Sequence, residues 1–206
     1  MVPEHIPDII VGRLPRYLRA LTRMLEEGIT STSSQELGER IGISAAQIRK
    51  DLSQFGEFGK QGTGYSITYL IDQIQNILKV NHVWDMILVG VGDLGHAIAR
   101  YQGFSNRGFR IVAVFDNDPK KIGLQVGSFT IKDFSEVCDF INQKKIKIAM
   151  VTVPAAAAQK VAESLVVAGV KAILSYAPIP LNLPPEIRVE YIDPILQLQH
   201  ISYYLD

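Results

Sequence analysis

The residues with the clearest chemical meaning are three glycines and an acid. Gly90-Val91-Gly92-Asp93-Leu94-Gly95 follows the apolar run Ile87-Leu88-Val89, and a second apolar run, Ile111 to Phe115, ends on Asp116. A helical pattern through Ala97, Ile98 and Tyr101 lies between them. Strand, glycine turn, helix, strand and an acid about 20 residues past the last glycine make up a dinucleotide-binding fingerprint. Gly90 suits the tight turn, Gly92 a close approach of backbone to pyrophosphate, and Gly95 the packing of helix on strand. The helix N-terminus offers unpaired N–H groups and a partial positive charge to phosphate. Asp116 would accept hydrogen bonds from an adenosine ribose and repel a 2′-phosphate, which favours NAD over NADP. Asp118 follows it closely and is a further candidate cofactor contact.

The surrounding elements must present this turn at a sheet edge. A helix is expected over 133–143, a strand over 146–154, a helix in AAAAQKVAESLVVAG, a strand over 171–176 and a last strand over 189–192. Strands alternating with helices imply a parallel, doubly wound α/β sheet of Rossmann type. Ligands in such sheets sit beyond the carboxyl ends of strands, so Thr152-Val153-Pro154 and Tyr176-Ala177-Pro178 should line the same crevice as the glycine turn.

A second kind of chemistry lies nearer the N-terminus. Leu14, Leu18, Leu21 and Leu25 recur at helical spacing before Gly28, with Pro15 in the first turn. Arg16, Arg19 and Arg23 on that helix form either a solvated face or a set for phosphate contact or a switch ion pair. Ser33 with Glu36, and Ser44 with Gln47, are spaced as two capping boxes, separated by Gly42-Ile43. Leu37 and Ile41 would be buried in the first helix, and Ile48, Leu52 and Phe55 in the second. Short helix, glycine turn, second helix is the helix-turn-helix pattern. On the second helix Ala45 and Ala46 permit close approach to a major groove, and Gln47 can read a base edge. Arg49 and Lys50 supply charge for bases or phosphates, and Ser44 and Ser53 are the remaining candidate contacts there. The glycine-rich stretch 55–65 is expected to form the hairpin of a winged helix, with Lys60 and Gly62 facing DNA. The alternative for this region is a small helical protein–protein module.

The bulk numbers bound these readings. With 206 residues, 47% hydrophobic and 20% charged, the chain is an ordinary globular one of one large or two small domains. Net charge is +0, and residues 1–84 hold nine Lys/Arg against nine Asp/Glu, so any case for nucleic acid rests on local placement. The single cysteine, Cys138, fits a reducing compartment and a core position. No signal peptide is read and no apolar run approaches a membrane span of about 20 residues, so a cytoplasmic protein is expected. The expected plan is a winged helix over 1–80, a linker over 81–85, a dinucleotide domain over 86–194 and a terminal helix over 195–206. That helix is apolar around most of its surface and should dock on its own domain or, preferably, a partner chain.

An NAD-dependent enzyme needs a proton donor or acceptor for its substrate. The histidines (5, 82, 96, 200) are scattered, and Tyr101, Tyr176 and Asp193 are the polar groups left near the crevice. No metal-ligand spacing is present. A cofactor site without a catalytic apparatus, joined to a DNA reader, implies sensing rather than turnover. An NAD-dependent enzyme with an association domain, and a CoA- or nucleotide-binding regulatory module, are the rival readings.

With RLPRYLRAL, TSSQELGERIG, IRKDLSQFGEFGKQGTGY, ILVGVGDLG, AVFDNDPKKIG, VTVPAAAAQKVAE and YAPIPLNLP, the chain resembles the Rex family of redox-sensing transcriptional repressors. The resemblance runs essentially end to end. It implies a homodimer that binds double-stranded operator DNA when NADH is low, is released by NADH, and for which NAD+ competes. It also implies a terminal helix exchanged between subunits, and a switch role for Arg19, Tyr101 and Asp193 where DNA domain, nicotinamide pocket and partner meet. Three positions depart from the family's usual pattern: Gln54 in place of tyrosine, Gln61 in place of arginine, and Asp93 within the glycine loop, where its carboxylate is expected to point outward.

Overall fold

The computed structural model describes residues 6–59 and 64–205, and the chain divides into two compact units, Met1–His82 and Val83–Asp206. The first unit runs α1 (Asp8–Val11), α2 (Leu14–Glu26), β1 (Ser31–Thr32), α3 (Ser34–Ile41), α4 (Ala45–Ser53), β2 (Tyr65–Ser66) and α5 (Ile67–Leu78). Both helices of the helix-turn-helix start where a serine can satisfy an orphan N–H: Ser33 Oγ accepts from Glu36 N (3.1 Å) and Ser44 Oγ from Gln47 N (3.3 Å). Neither capping box is reciprocal, because Glu36 accepts from Thr32 Oγ1 and Gln47 turns to Asp51.

The face that α2 buries differs from the leucine reading. Leu14 and Leu21 are buried, but Leu18 is only half-buried and Leu25 is exposed; Tyr17 and Met24 fill the core instead. Tyr17 sits three residues from Leu14 and four from Leu21, so it lies on the same stripe, and its hydroxyl finds a buried partner. With Leu37, Ile48, Leu52, Leu70 and Ile74 these residues form one core. The expected hairpin over 55–65 falls in part on residues outside those described; of its described part, Tyr65 opens β2, which pairs antiparallel with β1, Ser31 opposite Ser66 and Thr32 opposite Tyr65. Tyr65 packs against the helical core. Lys60, Gln61 and Gly62 lie outside the described residues.

The second unit is a seven-stranded sheet. Its strands are β3 (Trp84–Val89), β4 (Phe109–Asp116), β5 (Gln125–Val126), β6 (Phe129–Asp133), β7 (Ile148–Val151), β8 (Ala172–Ser175) and β9 (Arg188–Tyr191), in the order β5-β6-β4-β3-β7-β8-β9. All neighbours are parallel except the edge strand β5. Helices α6 (Asp93–Arg100), α7 (Val137–Lys144) and α8 (Ala155–Val167) connect strands, and α9 (Pro194–Ser202) closes the chain. Burial on both faces makes β3 and β7 nearly continuous apolar runs. Cys138 is half-buried against the same core.

Strand β3 extends two residues into the expected linker, and β6 occupies 129–133, so the helix expected from 133 begins at Val137. Asp133 ends that strand and caps the intervening turn, its Oδ1 accepting from Ser135 N (2.8 Å). Exposed and buried residues alternate in Phe129–Asp133, a strand signature to which the sequence reading gave no element.

Candidate functional site

The chain crosses from one half of the sheet to the other between β3 and β7, and the registers bring four strand ends level. Val89 lies opposite Phe115 on one side and Val151 on the other, with Val151 opposite Ser175. The residues that follow those ends are Gly90, Asp116, Thr152 and Tyr176. A reversal of strand order with ends in register is where open α/β sheets hold ligands.

Two of the three glycines are required by the chain itself. A Cβ on Gly95 would lie 2.1 Å from Gly90 O, and one on Gly90, whose φ is +97°, would lie 2.8 Å from Val153 Cγ1 and 2.9 Å from Thr152 O. Thr152 Oγ1 holds the turn from the neighbouring strand, donating to Gly90 O (2.7 Å). Gly92 is different. Its φ of −82° suits any residue, and a Cβ there would meet nothing within 4 Å. No internal contact demands glycine at this position; the free space lies at the N-terminus of α6, which no side chain caps. A phosphate-bearing ligand fits such a place, with backbone N–H groups and the helix dipole to receive it.

Asp116 is 6% exposed and faces the turn. It accepts from Val91 N (2.7 Å), Asp118 N (2.9 Å) and Lys121 Nζ (3.2 Å). Burial opposes its charge, but these donors outweigh burial and hold the carboxyl below the usual carboxylate range. The acid is therefore an anion at the end of the second strand. Asp118 is half-buried and accepts from Lys120 N (2.9 Å). Asp93 and Leu94 are exposed on the first turn of α6, and no described residue bonds the Asp93 carboxylate. Val153 and Tyr176 are half-buried, Ala177 is buried, and Pro154 and Pro178 are exposed. Burial raises the Tyr176 pKa.

In the first unit, helix α4 presents Ala46, Arg49, Lys50 and Ser53 to solvent, with Ser44 exposed at its cap. Arg49 Nη1 donates to Ser34 Oγ (2.8 Å), tying α4 to α3, and Ser53 Oγ donates to Lys50 O (2.9 Å). Gln47 is half-buried, and its amide does not hang free. It joins Arg13 and Tyr17 around Asp51, a carboxylate with no exposed surface. Arg19 is exposed and makes no hydrogen bond or ion pair with a described side chain. Tyr101, half exposed, ends α6 with its ring edge-on to Phe104 (5.0 Å), and Asp193 Oδ1 caps α9 by accepting from Ile195 N (2.9 Å). Helix α9 has no buried residue; Leu196, Leu198, Ile201 and Tyr204 are all more than half exposed.

Two family models match, one described as a putative DNA-binding protein N-terminus (residues 5–53) and one as a CoA binding domain (residues 81–179). The redox-sensing transcriptional repressor Rex of Chloroflexus aurantiacus is 56% identical over 97% of this chain and 94% of its own. The chain belongs to the Rex family. Among solved structures, a Rex-family repressor crystallised with β-NAD+ and operator DNA is 38% identical, with a TM-score of 0.92 over 98% of this chain and 93% of that one. The same repressor crystallised with β-NADH gives 36% identity and a TM-score of 0.89 over 97% and 94%. The role named for Rex proteins is transcriptional repression, a regulatory activity rather than turnover of a substrate. No described helix is long and apolar enough to cross a membrane.

Against this Rex framework, the sequence reading missed Arg13, Tyr17 and Asp51 as a group, and Lys121 as a partner of Asp116. Arg13 and Asp51 are 38 residues apart, and nothing local marks them as a pair. Lys121 carried a signal, since it lies five residues past Asp116 beyond a turn that Asp118 caps.

Proposed function

We propose that this protein is a cytoplasmic, homodimeric repressor that binds operator DNA and is released by NADH, so that it reports the NADH/NAD+ ratio. The observation that carries the cofactor half is the open space over Gly92 between two glycines that the chain itself requires. Gly90 to Gly95 would receive the pyrophosphate, Asp116 and Asp118 the adenosine ribose, and Thr152–Pro154 with Tyr176–Pro178 would line the nicotinamide end. Bound NAD(H) supplies only the redox state of its ring as a signal. Ionised Asp116 also argues against CoA and NADP(H), since both carry a phosphate on the adenosine ribose that the carboxylate would repel. The exposed apolar surface of α9 supports dimerisation, because a helix with no buried residue and several apolar side chains more than half exposed gains stability by covering that surface against a second copy.

On DNA, Ser44, Ala46, Gln47, Arg49, Lys50 and Ser53 would face the major groove, and Lys60 and Gly62 the backbone beside it. Arg19, Tyr101 and Asp193 would convey the cofactor's state by remaking hydrogen bonds among themselves across the dimer. The test is fluorescence anisotropy on promoter fragments from the host, titrated with NADH and separately with NAD+. Release of specific DNA by NADH, but not by comparable NAD+, is expected. Specific binding that ignores both cofactors would overturn the redox role, and absence of specific binding would overturn the repressor.

A further inference from the structure

The recognition helix α4 carries a carboxylate that faces away from solvent. Asp51 accepts from Arg13 Nε (2.6 Å) and Nη2 (2.7 Å), from the Tyr17 hydroxyl, and from Gln47 Nε2 (2.7 Å). Arg13 immediately precedes α2 and Tyr17 lies within it; Gln47 lies one turn earlier on α4 itself. Burial opposes the charge of Asp51, but these hydrogen bonds outweigh burial and hold the carboxyl below the usual range, so it is an anion.

An ionised carboxylate only accepts. It therefore takes the nitrogen of the Gln47 amide and turns the oxygen away. Gln47 Oε1 accepts no hydrogen bond from a described residue, and one of the two Nε2 hydrogens is left for another acceptor. An acceptor next to a donor is the complement of adenine in the major groove, which presents its N6–H₂ donor beside the N7 acceptor. Guanine presents two acceptors there and thymine a single acceptor with a methyl group, so the same edge discriminates against both. A glutamine with no such partner would present either polarity in several rotamers.

We propose that Asp51 is a positioning residue that orients the Gln47 amide to read an adenine in the operator. The inference rests on the operator-binding reading above. Well-packed apolar residues commonly match or exceed a buried ion pair in stability, so orientation gives this costly arrangement a use that stability alone does not. Arg13 and Tyr17 hold the carboxylate in place, and Gln47 takes its direction from it. Arg49 and Lys50, by contrast, carry their charge on the exposed surface of the helix and would contact phosphates or bases without this constraint.

The experiment measures the affinity of the full chain for its tightest promoter fragment and for a series substituted at one base pair at a time. The proteins are the unsubstituted chain, Gln47→Met, Asp51→Asn and the double variant, each checked for folding by circular dichroism. The unsubstituted protein should favour adenine at one position of each half-site by about 5- to 150-fold. Gln47→Met and Asp51→Asn should each lose that preference while keeping those at other positions. The double variant should lose no more than Gln47→Met, and the salt dependence should not change, since phosphate contacts are untouched.

A uniform loss across the series in Asp51→Asn would mark a merely structural residue and overturn the proposal. So would a preference that survives in Gln47→Met, or a Gln47-dependent preference for guanine or thymine. In case Asp51→Asn does not fold, the side-chain amide of Gln47 is followed by ¹⁵N NMR in the unsubstituted protein, assigned by its loss in Gln47→Met. A dispersed pair of signals with slow hydrogen exchange supports a held amide; a rapidly exchanging pair at random-coil positions overturns it. No specific binding by the unsubstituted protein would be a different failure, that of the repressor reading, and the inference would fall with it.

Discussion

Among the described residues each unit contains one buried carboxylate held by hydrogen-bond donors, and the two are built from opposite materials. Asp51 has no exposed surface and is held by side chains, from Arg13, Tyr17 and Gln47. Asp116 is 6% exposed and is held by two backbone N–H groups and one lysine. Both are anions, because hydrogen bonds outweigh burial in each. The partners of Asp51 fix helices to one another and leave it no further valence. Those of Asp116 fix a loop at the end of a strand and leave one of its acceptor positions without a described donor. What a buried carboxylate holds in place thus follows from what its donors belong to, more than from how deeply it is buried.

The largest expected effect separates the two directly. Asp51→Ala leaves Arg13 and Tyr17 without their acceptor and should cost the first unit about 3–5 kcal/mol. Urea unfolding would measure this, and NADH binding by the second unit should persist; equal loss of NADH binding would show that the units do not fold separately. Asp116→Ala should do the reverse, weakening NADH by about 10- to 150-fold for the loss of a charged acceptor, read by isothermal titration. Unchanged affinity would remove Asp116 from the ribose site. Gly92→Ala extends the contrast to a residue with no internal role. Stability should change by less than about 0.5 kcal/mol, while NADH affinity falls by about 5- to 150-fold as the new methyl crowds the phosphates.

The smallest effect is on pH dependence. Both carboxyls titrate lower in the folded chain than in the unfolded one, so their stabilisation is fully present above the unfolded value of about 3.9. It is lost as pH falls from there through the folded values. Unfolding free energy should be flat with respect to these groups above about pH 5 and decline below about pH 4. Asp51→Asn should reduce that decline without altering the neutral-pH plateau's shape; an unaltered acid slope would mean that Asp51 is not ionised in the folded protein.

Much of this architecture was legible because it is written in short spacings. The two serine caps, the glycine turn with its acid, and the alternation of strands and helices rest on contacts between residues a few positions apart or on a repeated period. The terminal helix could be read too, since an apolar residue on every side implies a surface to be covered. Where two local readings compete, spacing alone fails. Leu18 and Leu25 fit a helical stripe as well as Tyr17 and Met24 do, and only packing against α5 selects between them. That Tyr65 packs beside the helices, and that β2 pairs with β1 across more than 30 residues, has no local signal either.

By itself, then, the sequence determined the alternation of strands and helices, the glycine turn with Asp116 at the end of the second strand, and the helix-turn-helix with its caps. Each follows from local propensity and period, which act without knowledge of the rest of the chain. Only the tertiary structure decided that Gly92, alone of the three glycines, faces open space, that Lys121 supports Asp116, and that Gln47 is gripped from inside by a carboxylate. Those facts depend on which distant backbones and side chains arrive at one point, as Arg13 reaches Asp51 across 38 residues, and close packing settles them only when the whole unit is assembled.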